Sequence, residues 1–209
     1  MIIPSINARD FEEVRNKIRR IESYAEWVHL DITDGRFTKH VTWNNPNDLK
    51  TFQSSVKLEA HLMVENPEGV IPEWIAAGVK RILFHIEATS NPREILEVCR
   101  RHDVEVVAAI GTETPAELLL PYAHNFTMVL FLTVAAGPSG QEFYEDSLER
   151  INFLRQHNKT VTIEVDGGIN LETAKRAKVA GANIFVSGAY IFSRPDPIEA
   201  MKELENAIA

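Results

Sequence analysis

In Val28-His29-Leu30-Asp31 an imidazole and a carboxylate stand two residues apart, and on a β-strand that spacing turns both side chains to one face. His61 sits near the end of the apolar run Lys57 to Met63, and Glu164-Val165-Asp166-Gly167-Gly168 offers a second carboxylate beside two glycines. If these segments are strands ending at a common mouth, His29, Asp31, His61 and Asp166 converge there. Two imidazoles and two carboxylates suit one divalent cation, and zinc, manganese, iron and cobalt all accept such ligands. An Asp at a strand end is also a common turn former or helix cap. Four inward candidates on three strands are hard to explain as capping. Glu59 and Glu164 share strand parity with His61 and Asp166 one layer deeper. Acceptors that orient metal ligands stand in such positions, although a plain internal hydrogen-bond network accounts for them nearly as well.

The elements that must position these groups recur in units of twenty-odd residues: a β-branched apolar run, a loop, a helical pattern and a return. Strands are expected at Ile2 to Ile6, Trp27 to Asp31, Lys57 to Met63, Arg81 to His85, Glu105 to Ile110, Met128 to Thr133, Thr160 to Val165 and Asn183 to Ser187. Asn45-Pro46, Asn66-Pro67, Asn91-Pro92, Thr114-Pro115 and Asp196-Pro197 each join a good N-cap to a proline whose fixed φ suits a first helical position. Helical periodicity runs through Phe11, Val14, Ile18 and Ile21, through Leu148, Ile151 and Leu154, and through Ile198, Met201, Leu204 and Ile208. Gly78 and Gly181 are the expected stops of the third and seventh helices. Eight strands alternating with eight helices predict an α/β fold, a (β/α)₈ TIM barrel forming one domain over residues 1–209. A flavodoxin-like open sheet is the structural alternative.

In such barrels the site lies at the C-terminal ends of the strands, which sorts the seven histidines. His102, His124 and His157 fall near helix ends, where a surface cation meets the negative end of the helix dipole. His29, His61 and His85 close strands, and His40 lies in a loop after one. Phosphate is expected at the loops after the last two strands, where Gly167-Gly168 and Ser187-Gly188 stand. Gly137-Pro138-Ser139-Gly140 is a third small-residue loop through which backbone can approach a ligand.

Bulk properties exclude several classes. A formal charge of −8 without a dense Lys/Arg run leaves no footprint for nucleic acid. No apolar run is long enough to span a membrane, and the N-terminus does not read as a signal peptide. Cys99 is the single cysteine, so a disulfide within the chain and a cysteine zinc site are both ruled out, and a reducing cytoplasm is the expected location. Its place beside Ile95 and Leu96 reads as packing. Trp43 and Trp74 hint at a homo-oligomer interface, with core burial the plainer reading of each.

Longer motifs carry a resemblance. Pro4-Ser5-Ile6, His29-Leu30-Asp31-Ile32-Thr33-Asp34-Gly35, His61-Leu62-Met63-Val64, His85-Ile86-Glu87 and Glu164-Val165-Asp166-Gly167-Gly168-Ile169 together resemble the ribulose-phosphate 3-epimerase family, end to end. Thr133-Val134 with Gly140-Gln141-Glu142-Phe143 is similar to that family's phosphate loop. The resemblance implies a barrel of the ribulose-phosphate-binding type in which His29, Asp31, His61 and Asp166 hold the metal. It also implies that Asp31 and Asp166 form the acid/base pair and that Ser5 contacts substrate. The expected reaction is metal-dependent epimerisation at C3 of ribulose 5-phosphate through an enediolate, with no organic cofactor.

The chain departs from that pattern at Thr33 and Leu132, where the family usually has methionines lining the space above the reacting carbon; Met63 is retained. Ala136 to Gly140 replace a proline- and glycine-rich loop, Arg36-Phe37-Thr38-Lys39-His40 differs after the second strand, and Gly111 stands where asparagine is usual. Arg36 and Lys39 are either solvated or face an anionic group of the substrate. The expected substrate contacts are therefore Ser5, Met63, Gly137, Ser139, Gly140, Gly167, Gly168, Ser187 and Gly188, and the expected partners are a small sugar phosphate and further copies of the chain. A ketohexose phosphate such as allulose 6-phosphate, or a sugar-phosphate-binding barrel without turnover, are the alternatives. Decarboxylases and aldolases of related barrels carry Asp-x-Lys-x-x-Asp, and Asp31-Ile32-Thr33-Asp34 has no lysine.

Overall fold

Near-continuous apolar strands are the mark of a parallel sheet covered on both faces, and that is what forms. The computed structural model of the chain describes residues 1–122 and 126–209. Its strands are β1 (Ile2–Ile6), β2 (Trp27–Thr33), β3 (Lys57–Met63), β4 (Arg81–His85), β5 (Glu105–Ile110), β6 (Met128–Leu132), β7 (Thr162–Asp166) and β8 (Ile184–Ser187). All pair in parallel in chain order, and β8 closes on β1. β2 runs two residues beyond the expected end at Asp31, because Ile32 and Thr33 still pair with Leu62 and Met63 of β3. β7 begins at Thr162 and carries Asp166 inside the strand.

Strand alternation divides the core in two. Ile3, Leu83, Val107, Leu130, Leu132 and Val186 fill the barrel interior in one cluster, while their neighbours pack outward against the helices in another. The interior is not apolar throughout: β2, β3, β4 and β7 turn His29, Glu59, His61, Arg81, His85 and Glu164 inward, all buried. One side of the barrel is thus an internal polar column, which is viable only if its members partner one another.

The helices are α1 (Phe11–Arg19), α2 (Ile71–Ala76), α3 (Pro92–Arg101), α4 (Ser147–His157), α5 (Leu171–Ala180), α6 (Ala189–Phe192) and α7 (Pro197–Ala207). Of the five proline entrances, Pro92 and Pro197 open α-helices, and Asp196 caps α7 by accepting from Ile198 N and Glu199 N. The other three open 3₁₀ turns at Pro46–Thr51, Pro67–Gly69 and Ala116–Tyr122, so the second and fifth expected helices are 3₁₀ only. In the last of these, Pro121 lacks the N–H that a continuing α-helix needs. Gly181 ends α5 with φ of 120°, as the stop signal predicts.

His102 caps the end of α3 and His157 closes α4, both exposed, whereas His124 lies outside the described residues. Trp43 and Trp74 are buried and meet edge to face with ring centroids 5.6 Å apart, so neither marks an interface. Cys99 is fully buried on α3, and burial pushes its thiol up to about 12, the environment of a packing residue and not a nucleophile. Among the described residues no helix is long and apolar enough to cross a membrane.

Candidate active site

The closed barrel brings four strand ends to one mouth. Register sets Ser5 of β1 beside His29 of β2, and Asp31 beside His61 of β3. Asp166 arrives from β7 across the barrel. One ligand atom from each of His29, Asp31, His61 and Asp166 lies within 4.8 Å of the others. His29 Nε2 and His61 Nδ1 face each other at 3.1 Å. Asp31 Oδ1 stands 3.4 Å from His29 Nε2, and Asp166 Oδ2 stands 3.4 Å from His61 Nδ1.

The imidazole orientations have causes. The Glu59 carboxylate only accepts, so His29 Nδ1–H donates to its Oε1 at 2.7 Å and the ring turns Nε2 toward the mouth. The far nitrogen of His61, Nε2, meets His85 Nε2 at 3.0 Å, so one ring donates to the other. The Phe37 ring packs on His85 at 4.8 Å between centroids. Burial works against a charged His29, but Asp166, Asp31, Glu164 and Glu59 outweigh it and hold its pKa well above the usual value. Burial likewise opposes an ionised Asp31, yet hydrogen bonds and charge from His29 and His61 hold it far below the ordinary carboxylate range. Burial and the neighbouring Glu59 push Glu164 up to about 8, and its carboxyl oxygens find no hydrogen-bond partner among the described residues. Of the two expected acceptors, Glu59 therefore orients His29, and Glu164 stands 3.4 Å from the same nitrogen.

The cluster calls for positive charge at its centre. Asp31 Oδ1 is buried without a hydrogen-bond partner, and two imidazole nitrogens and two carboxylates aim at the same point. That donor set fits a divalent cation.

A cavity of about 350 Å³ opens above the cluster, with Asp31 and Asp166 on its wall. His29 and His61 lie behind them, wholly buried. Ser5 and Met63 line it from β1 and β3, and Gly137, Ser139 and Gly140 from the loop after β6. Gly167, Gly168, Ser187 and Gly188 line it from the ends of β7 and β8. The Ser187 hydroxyl is committed to donating to Ile169 O at 2.9 Å, which leaves backbone as its contribution to a ligand. Leu132 faces the cavity, but Thr33 does not: it is fully buried, its hydroxyl 3.4 Å from that of Thr42. Arg36 and Lys39 are exposed and lie off the cavity wall, and Arg36 is 3.9 Å from the Glu65 carboxylate.

Sequence reasoning missed Asn7, which lines the cavity. Its amide donates to Gly137 O at 3.0 Å, and its carbonyl oxygen meets His40 Nε2 at 3.1 Å, joining the loops after β1, β2 and β6. A polar residue directly after a strand end was the available signal. Glu87 was likewise quoted only within a motif. It accepts from Gly111 N at 2.7 Å and from the Thr114 hydroxyl, bracing the loop after β5. Burial opposes its charge, yet His85, Thr114 and Gly111 bring its carboxyl down to about 2. A depressed folded pKa stabilises above the unfolded value, and that stabilisation is lost as pH falls through the folded one. Glu87→Gln is thus expected to flatten the acid limb of stability between about pH 4.5 and about pH 2, read as denaturation midpoint against pH. An unchanged acid limb would contradict the bracing role.

Comparison with known proteins is decisive. The family model described as "Ribulose-phosphate 3 epimerase family" matches residues 1–192. The chain belongs to the ribulose-phosphate 3-epimerase family. A ribulose-phosphate 3-epimerase of Schizosaccharomyces pombe is 34% identical over 213 residues, covering 99% of this chain and 93% of its own. Membership makes the protein an isomerase, of the epimerase type. Solved barrels reach further. The 3-hexulose-6-phosphate synthase of Salmonella typhimurium superposes with a TM-score of 0.75 at 12% identity, over 99% of this chain and 97% of its own. KGPDC from Streptococcus mutans, in complex with ribose 5-phosphate, gives 0.73 at 11%, over 99% and 96%. At such identities these last two share the epimerase's fold alone.

Proposed function

We propose that the chain interconverts ribulose 5-phosphate and xylulose 5-phosphate by moving the proton on C3, with Asp31 and Asp166 as the acid/base pair. The observation that carries this reading is that both carboxylates, from β2 and β7, lie on the wall of one cavity while the two imidazoles stand behind them. Inversion at a carbon beside a ketone needs a base on one face and an acid on the other, and the roles exchange in the reverse direction. His29, Asp31, His61 and Asp166 would hold the divalent cation. When bound, it supplies Lewis acidity for the carbonyl and neighbouring hydroxyl oxygens of the substrate, which lowers the cost of an enediolate.

The rest is done by the chain itself. Glu59 keeps His29 turned to the mouth, and Met63 and Leu132 bring apolar surface to the cavity. Backbone N–H groups at Gly167, Gly168 and Gly188, with the loop 137–140, form the expected phosphate cradle. That a neighbour in fold is a complex with ribose 5-phosphate supports a phosphorylated pentose at this mouth. A ketohexose phosphate is the second reading, favoured by Leu132 on the cavity wall where the family resemblance expects methionine.

The test is incubation with ribulose 5-phosphate in deuterated water, with zinc, manganese, iron(II) or cobalt supplied in turn. Deuterium at C3 and xylulose 5-phosphate are expected. Failure with every metal rules that substrate out, faster turnover of allulose 6-phosphate favours the second reading, and tight binding without exchange marks a non-catalytic barrel.

A further inference from the structure

One buried cation lies below the candidate metal centre, and the proposed reaction makes no use of it. Arg81 opens β4 on the inward face, and register sets it beside Glu59 of β3 and Glu105 of β5. It is 6% exposed. Its Nη1 donates to Glu59 Oε2 at 2.5 Å, its Nε donates to Glu105 Oε2 at 2.7 Å, and its guanidinium lies 4.0 Å from the Trp27 ring centroid. The other oxygen of Glu59 is the one that receives His29 Nδ1–H. A continuous chain therefore runs Glu105, Arg81, Glu59, His29, from the half-exposed floor of the barrel to the nitrogen that faces Asp31 and Asp166.

Two carboxyl groups, Glu59 and Glu164, sit within 3.4 Å of one imidazole nitrogen, and both are fully buried. An acid so placed needs a fixed partner on its second oxygen, or it turns toward whichever donor is nearest. Arg81 is that partner. The planar fork matters: one nitrogen holds Glu59 while another holds Glu105 and the face stacks on Trp27, which the point charge of a lysine cannot do at once.

We infer that Arg81 is a positioning residue for the candidate metal centre: by pinning Glu59 Oε2 it fixes Oε1 against His29 Nδ1–H and so keeps His29 Nε2 aimed at Asp31 and Asp166. The inference rests on the reading of His29 as a metal ligand only for its consequence, and not for the hydrogen-bond chain itself. Its rival is a purely structural plug at the barrel floor, which would affect folding and nothing at the mouth.

The experiment uses full-length protein labelled with ¹⁵N-histidine. The His29 Nδ1 proton is observed by NMR in the metal-free state, and cobalt affinity is measured by competition with a chelator. Wild type is expected to give a downfield, slowly exchanging Nδ1 proton. In R81M that signal moves upfield and exchanges faster, and cobalt binding weakens by about 10–100-fold, the range for loss of an orienting partner. E105Q, which leaves the Arg81–Glu59 contact in place, is expected to change neither reading. R81M that folds with both readings at wild-type values overturns the inference in favour of the plug. If R81M does not fold, R81K decides: an unshifted Nδ1 proton overturns the inference, and a shifted one supports it. Wild-type protein that binds no cobalt but whose Nδ1 proton responds to Arg81 would sink the metal reading while leaving the positioning chain standing.

Discussion

Asp166→Asn is expected to lower kcat by roughly 10²–10⁴-fold, the usual worth of a positioned acid or base, with the barrel still folded. The amide has nearly the shape of the carboxylate but cannot accept the proton. Asp166 ends β7 in register with Leu132 and Val186, so its backbone is held from both sides and the substitution leaves the fold unmoved. Asp31→Asn is expected to match it in size but not in kind. If the two carboxylates serve opposite faces of the carbon, each variant loses deuterium exchange chiefly from one epimer. One variant should still exchange ribulose 5-phosphate at C3, and the other xylulose 5-phosphate. Metal content, measured on the same preparations, separates lost proton transfer from lost ligation. Variants that retain metal yet fail with the same epimer would rule out a pair that divides the two faces.

The second large effect is on stability. Gly168→Ala is expected to cost about 2–4 kcal/mol, combining a left-handed backbone with overpacking. Gly168 has φ of 67°, and a Cβ built there would come within 2.6 Å of Phe143 N and 2.8 Å of its Cα. Those are backbone atoms and cannot rotate away. The segment they belong to is tied to the barrel, since Tyr144 N donates to Thr133 O at 2.7 Å. Gly69→Ala is the control, because its Cβ would meet only the Asn66 side chain at 3.5 Å, an ordinary contact. Urea midpoints of the two variants should differ clearly. Equal midpoints would mean that the loop yields, and that the close approach of residues 143 and 168 is not a constraint on the cavity.

The barrel was legible because parallel strands buried on both faces must be apolar runs, and eight such runs leave few topologies. The ligand set was legible because alternation alone puts His29 with Asp31. What escaped depended on closure. The Asn-Pro and Thr-Pro signals mark where a helical turn begins but not whether its ladder continues, hence the 3₁₀ turns at Pro46–Thr51 and Ala116–Tyr122. Arg81 reads as an ordinary first residue of a strand until register sets it against Glu59. Asn7 and His40 are remote in sequence, and only the meeting of three loops pairs them. Thr33 obeys inward parity yet is covered by Thr42, a loop residue whose position no strand pattern could forecast.

The two imidazoles sit behind the carboxylates with no exposed surface, and the cavity is walled by Asp31 and Asp166. A cation bound there would have to arrive through the space that the sugar later fills, and leave by the same door. Loading order follows from that topology: ion before sugar, with a seated sugar acting as the stopper. Saturating amounts of an unreactive sugar-phosphate analogue should therefore slow chelator stripping, and protein exposed to sugar before ion should load sluggishly.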